Sequence, residues 1–108
     1  MATFEDFKKL EIRVGKIISA EKVPETDKLV KLLVNFGVLG ERQIIAGVAV
    51  HFPEPATLVG KKFAFVFNLE PKLIKGLESS GMVLAAGDDL GLSLLTVDDK
   101  IAEGSLVE

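Results

Sequence analysis

Apolar and polar positions change period several times along the chain, and the changes divide it into short segments. Phe4, Phe7 and Leu10 have helical spacing, and Thr3 followed by Phe4, Glu5 and Asp6 resembles a capping box, so a short opening helix is predicted. Ile12 to Val23 is rich in Ile and Val and predicts a strand. Ile12 and Val14 lie in one phase of its alternation and Ile17 in the other, a slip that a bulge or bend at Gly15 would produce. Pro24-Glu25-Thr26-Asp27 has turn composition. From Leu29 to Phe36 the alternation is clean: Val30, Leu32, Val34 and Phe36 share one face, and Lys31 and Asn35 share the other, which points Lys31 outward.

Gly37 to Gly40 predicts a hairpin connection into a third strand, Arg42 to Val50, apolar on both faces past Gln43. His51 to Gly60, with Pro53 and Pro55, predicts a long connection holding one helical turn around Ala56 to Val59. Lys61 to Leu69 places Phe63, Phe65 and Phe67 on one face and Ala64 and Val66 on the other. Burial on both faces is implied, against a core on one side and an extension or second subunit on the other. Met82 to Ala86 and Leu92 to Val97 are two further apolar runs. Short strands with one brief helix between the third and fourth predict an all-β class, and the OB-fold matches best: a five-stranded barrel with a short N-terminal helix and a C-terminal extension.

Between the Lys61 to Leu69 run and the Met82 to Ala86 run lies Asn68 to Met82, which holds a proline break, two lysines, two serines, two glycines and an amide. Residue types alone make it a surface connection between strands with many polar handles.

The length of 108 residues predicts one domain spanning 1-108, and an apolar fraction of 48% excludes a disordered chain. There is no cysteine, hence no disulfide, thiolate nucleophile or cysteine-based zinc site. No run approaches the roughly 20 apolar residues of a membrane span, and Glu5 and Asp6 are unlike a signal peptide, so a cytoplasmic protein is expected. The formal charge is -3, but residues 1-75 carry 12 Lys/Arg against 9 Asp/Glu, whereas residues 76-108 carry one Lys against 7 acids. This asymmetry is compatible with a polyanion site on a mildly basic body.

Catalytic patterns are missing. His51 is the sole histidine, so no histidine pair can hold a metal, and Leu77 stands where a nucleophile elbow on Ser79 would need glycine. The glycines at 37, 40 and 47 have neither dinucleotide nor phosphate-loop spacing, and Asp88-Asp89 and Asp98-Asp99 lack a calcium-loop pattern. A non-enzymatic binding protein without metal or cofactor is expected. The candidates for binding are Arg13, Lys28, Lys31, Arg42, Lys72 and Lys75, with Ser79 and Ser80 as hydroxyl donors and Asn68 at the head of the connection. Phe36 and Phe52 are the aromatic side chains open to a stacking role.

Taken in order, the motifs resemble the tRNA-binding domain family, which includes free-standing dimeric tRNA-binding proteins and the C-terminal appendix of many methionyl-tRNA synthetases. The resemblance runs through Phe7, Glu11-Ile12-Arg13-Val14-Gly15, Pro24 with Asp27-Lys28-Leu29, Arg42-Gln43-Ile44 with Gly47, and Leu58-Val59-Gly60-Lys61. It continues through Asn68-Leu69 with Pro71 and ends in Gly76-Leu77-Glu78-Ser79-Ser80-Gly81-Met82 with Leu84-Ala85-Ala86. It implies an OB-fold, structure-specific binding to the outer corner of tRNA, and a homodimer aided by the C-terminal extension. It puts Lys28, Lys72, Lys75, Ser79 and Met82 at the RNA surface, together with Arg13 and Arg42. Where the family usually shows Asn-Leu-Lys-Pro-Arg-Lys-Met-Arg-Gly, this chain has Glu70, Lys72, Leu73, Ile74 and Lys75. Those changes bear on affinity rather than on fold. Two alternatives stay open: an export-type dimeric peptide-binding chaperone of the same fold, and a dimerisation appendix of methionyl-tRNA synthetase. Met1-Ala2-Thr3 looks like the native beginning of a free-standing protein, a beginning that a cloned fragment could share.

Overall fold

A computed structural model describes residues 1-108. The opening helix α1, Phe4–Lys8, is capped as its sequence predicts: the Asp6 backbone N–H donates to the Thr3 hydroxyl, and the Thr3 N–H donates to the Asp6 carboxylate. Strands β1 (Ile12–Lys22), β2 (Val30–Asn35), β3 (Glu41–Ala46) and β4 (Lys62–Val66) then form an antiparallel sheet. A 3₁₀ turn, Pro55–Leu58, occupies the predicted helix position between β3 and β4. After β4 come a small hairpin, β5 (Lys72–Ile74) and β6 (Leu77–Ser79), the last sheet strand β7 (Met82–Val83), and a second hairpin, β8 (Ala85–Asp88) and β9 (Gly91–Leu94). The main sheet has the order β3-β2-β1-β4-β7 and curls until its two ends meet, an all-β, OB-type architecture.

Its interior is lined by the residues whose alternation is cleanest. Val30, Leu32, Val34 and Phe36 are all fully buried, and Phe36 packs edge-on against Phe65 and Phe67 with ring centroids 5.5 and 4.9 Å away. Phe36 is therefore a core residue, which removes it as a stacking platform. Phe52 is half-buried and packs against the same core.

The irregularity in β1 does not fall at Gly15. Pairing with β4 runs unbroken from Ile12 to Lys16, and the register shift lies between Ile17 and Ser19. The phase change in the sequence has another cause: β1 is covered on both faces in its first half. The Val14 side chain is buried on one face and its N–H and C=O bond the backbone of Ser105 and Gly104 along the strand's edge, while Gly15 faces the core. A Cβ at position 15 would lie 2.5 Å from a Val34 methyl and 2.9 Å from both the Phe36 and Phe65 rings, so glycine is required by close packing rather than by a bend. Burial on both faces of β4 holds as expected, and is achieved within one chain. The C-terminal segment supplies partners along the sheet edges, with Leu95 and Thr96 beside β4 and Leu106 beside β1. Lys62 anchors it by donating to the Asp99 and Ile101 carbonyls at 2.7 Å and pairing with Glu103 at 3.3 Å.

Candidate nucleic-acid interface

Two connections flank one end of the barrel. The first, between β1 and β2, is held shut by local bonds: the Thr26 hydroxyl and N–H both donate to the Val23 carbonyl, and the Val23 N–H donates to Leu29. Glu25 takes a positive φ of 63° there. The Lys28 carbonyl accepts from the Ala49 N–H at 2.9 Å, which fixes that residue's backbone while its side chain stays exposed.

The second is the segment from Asn68 to Met82, which is not an irregular loop. It folds back as the β5–β6 hairpin, whose paired ends Ile74 and Leu77 leave Lys75 and Gly76 as a two-residue turn with φ of 52° and 80°. Positive φ at both turn residues matches the right-handed twist of a hairpin, and it suits Gly76. Lysine at the first position is uncommon, because a Cβ is disfavoured in the left-handed region. The turn thus holds its ammonium group at the tip of the hairpin at a cost in backbone energy.

These two connections meet. One cleft is lined by Glu21, Lys22, Val23, Pro24, Lys31, Lys75 and Leu77. Its neighbour is lined by residues 25 to 29 with Ile74 and Lys75. Lys75 borders both, so Lys22, Lys28, Lys31 and Lys75 line two adjoining clefts in the company of Glu21, Glu25 and Asp27. Lys31 is paired with Glu21 at 2.9 Å, whereas Lys22, Lys28 and Lys75 are in no ion pair. Unpaired ammonium groups around a concavity suit a phosphate backbone, and three carboxylates nearby keep the field weak. Lys22 was not among the sequence candidates. Its signal was position: it ends β1 directly beside the turn that supplies Lys28.

The remaining candidates go elsewhere. Lys72 is exposed at the base of the hairpin, across from Ser79. Ser79 is a correction to the expected surface hydroxyl: only 4% exposed, it accepts from the Ile45 N–H at 2.9 Å and donates to the Gly81 carbonyl. Together with the bond from the Ser80 N–H to Gln43, it joins β3 to the end of β6 and closes the barrel. Arg42 is likewise committed inward, donating to the Phe67 carbonyl at 2.6 Å with its guanidinium 3.7 Å from the Phe67 ring centre. Arg13 bonds Glu11 and the Gly104 carbonyl, fastening the C-terminal segment. Asn68 is exposed but its amide spans to the backbone, accepting from the Glu11 N–H and donating to the Lys9 carbonyl. Arg42, Asn68 and Ser80 share a groove that also holds Glu41 and Glu70, an unfavourable setting for phosphate. Met82 is exposed beside Ile45, His51 and Asp88 in a separate cleft.

Comparison with known proteins agrees with this architecture. Residues 12–106 match the family described as "Putative tRNA binding domain". The chain is 46% identical over 105 residues to a methionine–tRNA ligase of Thermotoga maritima, covering 97% of this chain and 16% of the ligase. A methionine–tRNA ligase of Porphyromonas gingivalis is also 46% identical, with 15% of its length covered, so the chain spans less than a fifth of these relatives. Among solved structures, a MetRS-related protein from Pyrococcus horikoshii superposes with a TM-score of 0.92 at 40% identity, covering 100% of this chain and 98% of that one. The chaperone CsaA from Bacillus anthracis superposes with a TM-score of 0.88 at 30% identity, covering 100% of this chain and 99% of that one.

Proposed function

Since the chain belongs to the tRNA-binding domain family, we propose that it is a non-catalytic module that holds tRNA by backbone and shape through the concave surface between the β1–β2 connection and the β5–β6 hairpin. One observation carries this reading: Lys75, held in a left-handed conformation at the hairpin tip, borders both clefts and brings its charge to Lys22 and Lys28. Lys22, Lys28 and Lys75 neutralise phosphates, Lys72 adds charge from the hairpin base, and the backbone N–H groups around Gly76 can donate to phosphate or sugar oxygens. Contacts of this type position an RNA without reading its bases. With about 3 to 5 phosphate contacts the site is weak and salt-sensitive, and a homodimer, or a fused or associated synthetase, would raise affinity by engaging tRNA at two surfaces. The test is fluorescence anisotropy with labelled tRNA from about 50 to about 200 mM salt. Binding that weakens steeply with salt and is lost in Lys28→Ala/Lys75→Ala supports the proposal; affinity indifferent to salt and to both substitutions overturns it.

A second reading, a peptide-binding chaperone, is favoured by the end-to-end likeness to chaperone CsaA and by an apolar cleft lined by Phe4, Phe7, Leu10 and Leu106. Suppression of client aggregation that tRNA fails to compete would support it over the first.

A further inference from the structure

Lys31 lines the same cleft as Lys22 and Lys75, yet its Nζ lies 2.9 Å from Glu21 Oε1. The pairing is built into the sheet: Glu21 and Lys31 are directly opposite in the β1–β2 ladder, so their side chains project from the same face as neighbours. Glu21 is also the one acid lining that cleft, where it occupies the position of an incoming anion with respect to Lys31. We infer that Glu21 acts as an internal competitor for phosphate, withholding Lys31 from the RNA and setting the site's affinity below what its lysines would otherwise give.

Both side chains are partly exposed, at 38% and 66%, so the pair is weak and an RNA phosphate competes with it on nearly equal terms. With Glu21 present, a phosphate reaching Lys31 must displace the carboxylate and then sit beside it at like charge. Removing the charge abolishes both penalties and adds one cation to the phosphate-binding set. Glu25 and Asp27 border the neighbouring cleft but are in no ion pair with a lysine of the site, so neutralising either changes the general field without releasing a particular ammonium group.

This rests on the tRNA-binding reading, and a double-mutant cycle separates the two. Labelled tRNA is titrated against the full chain as wild type, Glu21→Gln, Lys31→Gln, the double variant, and Glu25→Gln as a field control. Glu21→Gln is expected to tighten binding about two- to fivefold, the equivalent of an exposed ion pair. It should also steepen the salt dependence by roughly 0.7 to 0.9, the slope of one added phosphate contact. The gain should vanish in the Lys31→Gln background and exceed that of Glu25→Gln. An unchanged affinity, or an equal gain with and without Lys31, overturns the inference while wild-type binding leaves the tRNA reading standing. No binding by any variant at low salt overturns both.

Discussion

The Ser79 hydroxyl accepts a 2.9 Å hydrogen bond from the Ile45 backbone N–H, and through it the end of the β5–β6 hairpin is fastened to β3. A side chain stands here where a barrel would ordinarily continue its backbone ladder. Replacing Ser79 with Ala leaves a buried N–H without a partner, and should destabilise the fold by about 1–3 kcal/mol in urea unfolding. The half-buried Ser80 uses its backbone N–H for the same junction, so Ser80→Ala should stay within about 0.5 kcal/mol of wild type.

Arg42 makes a parallel case among the cations. Its guanidinium bonds the Phe67 carbonyl and lies over the Phe67 ring, so Arg42→Ala should lower stability by about 1–2 kcal/mol. The salt slope of tRNA binding, measured on the folded variant, should not change.

Lys75 should show the opposite balance. Asn tolerates the left-handed conformation better than Lys, so Lys75→Asn should raise the unfolding free energy by up to about 1 kcal/mol. On the proposed site the same substitution also removes one phosphate contact, so the salt slope should fall by about 0.7 to 0.9. A variant that gains stability and loses affinity would show backbone energy spent on presenting a charge.

These side chains mark where the sequence was legible. The alternation of Val30, Leu32, Val34 and Phe36, the capping box at Thr3 and the phenylalanines of β4 are local signals, and each predicted its element; the two strands also bury the faces their patterns predict, whereas Phe4, Phe7 and Leu10 around the helix stay exposed. Gly15, Ser79 and Arg42 depend on residues far along the chain: Gly15 on Phe36 and Phe65, Ser79 on Ile45, Arg42 on Phe67. A period or a motif cannot show which distant atom fills a contact, so a packing glycine passed for a bulge and a barrel-closing hydroxyl passed for a ligand donor. Lys28, Lys31 and Lys75 were legible as cations, but their convergence with Lys22 required the hairpin at 72–79 to fold back toward the β1–β2 connection.

Acid should loosen the C-terminal segment first. Glu103 has its carboxyl held below the ordinary glutamate range by a hydrogen bond from its own backbone N–H and then by Lys62. A carboxylate depressed in the folded state stabilises that state above its unfolded pKa, and the contribution disappears as pH falls through the folded value. The urea midpoint of wild type should therefore drop toward that of Glu103→Gln between about pH 5 and the lower folded pKa, with the two differing most above that window. Protection of the Val97 and Val107 amides, which bond Lys62 and Ile12, should fall over the same range once each exchange rate is divided by the intrinsic rate at that pH.

The proposed tRNA site can be tested residue by residue, because the chain is only 11.6 kDa. Unlabelled tRNA is titrated into ¹⁵N-labelled protein at low salt, and the backbone amide signals are followed by NMR. The expected losses and shifts fall in residues 21–31 and 72–78 and fade as salt is added. Perturbations confined to the cleft of Phe4, Phe7, Leu10 and Leu106, or a spectrum that tRNA leaves unchanged, would contradict the assignment of the RNA site to the Lys75 hairpin.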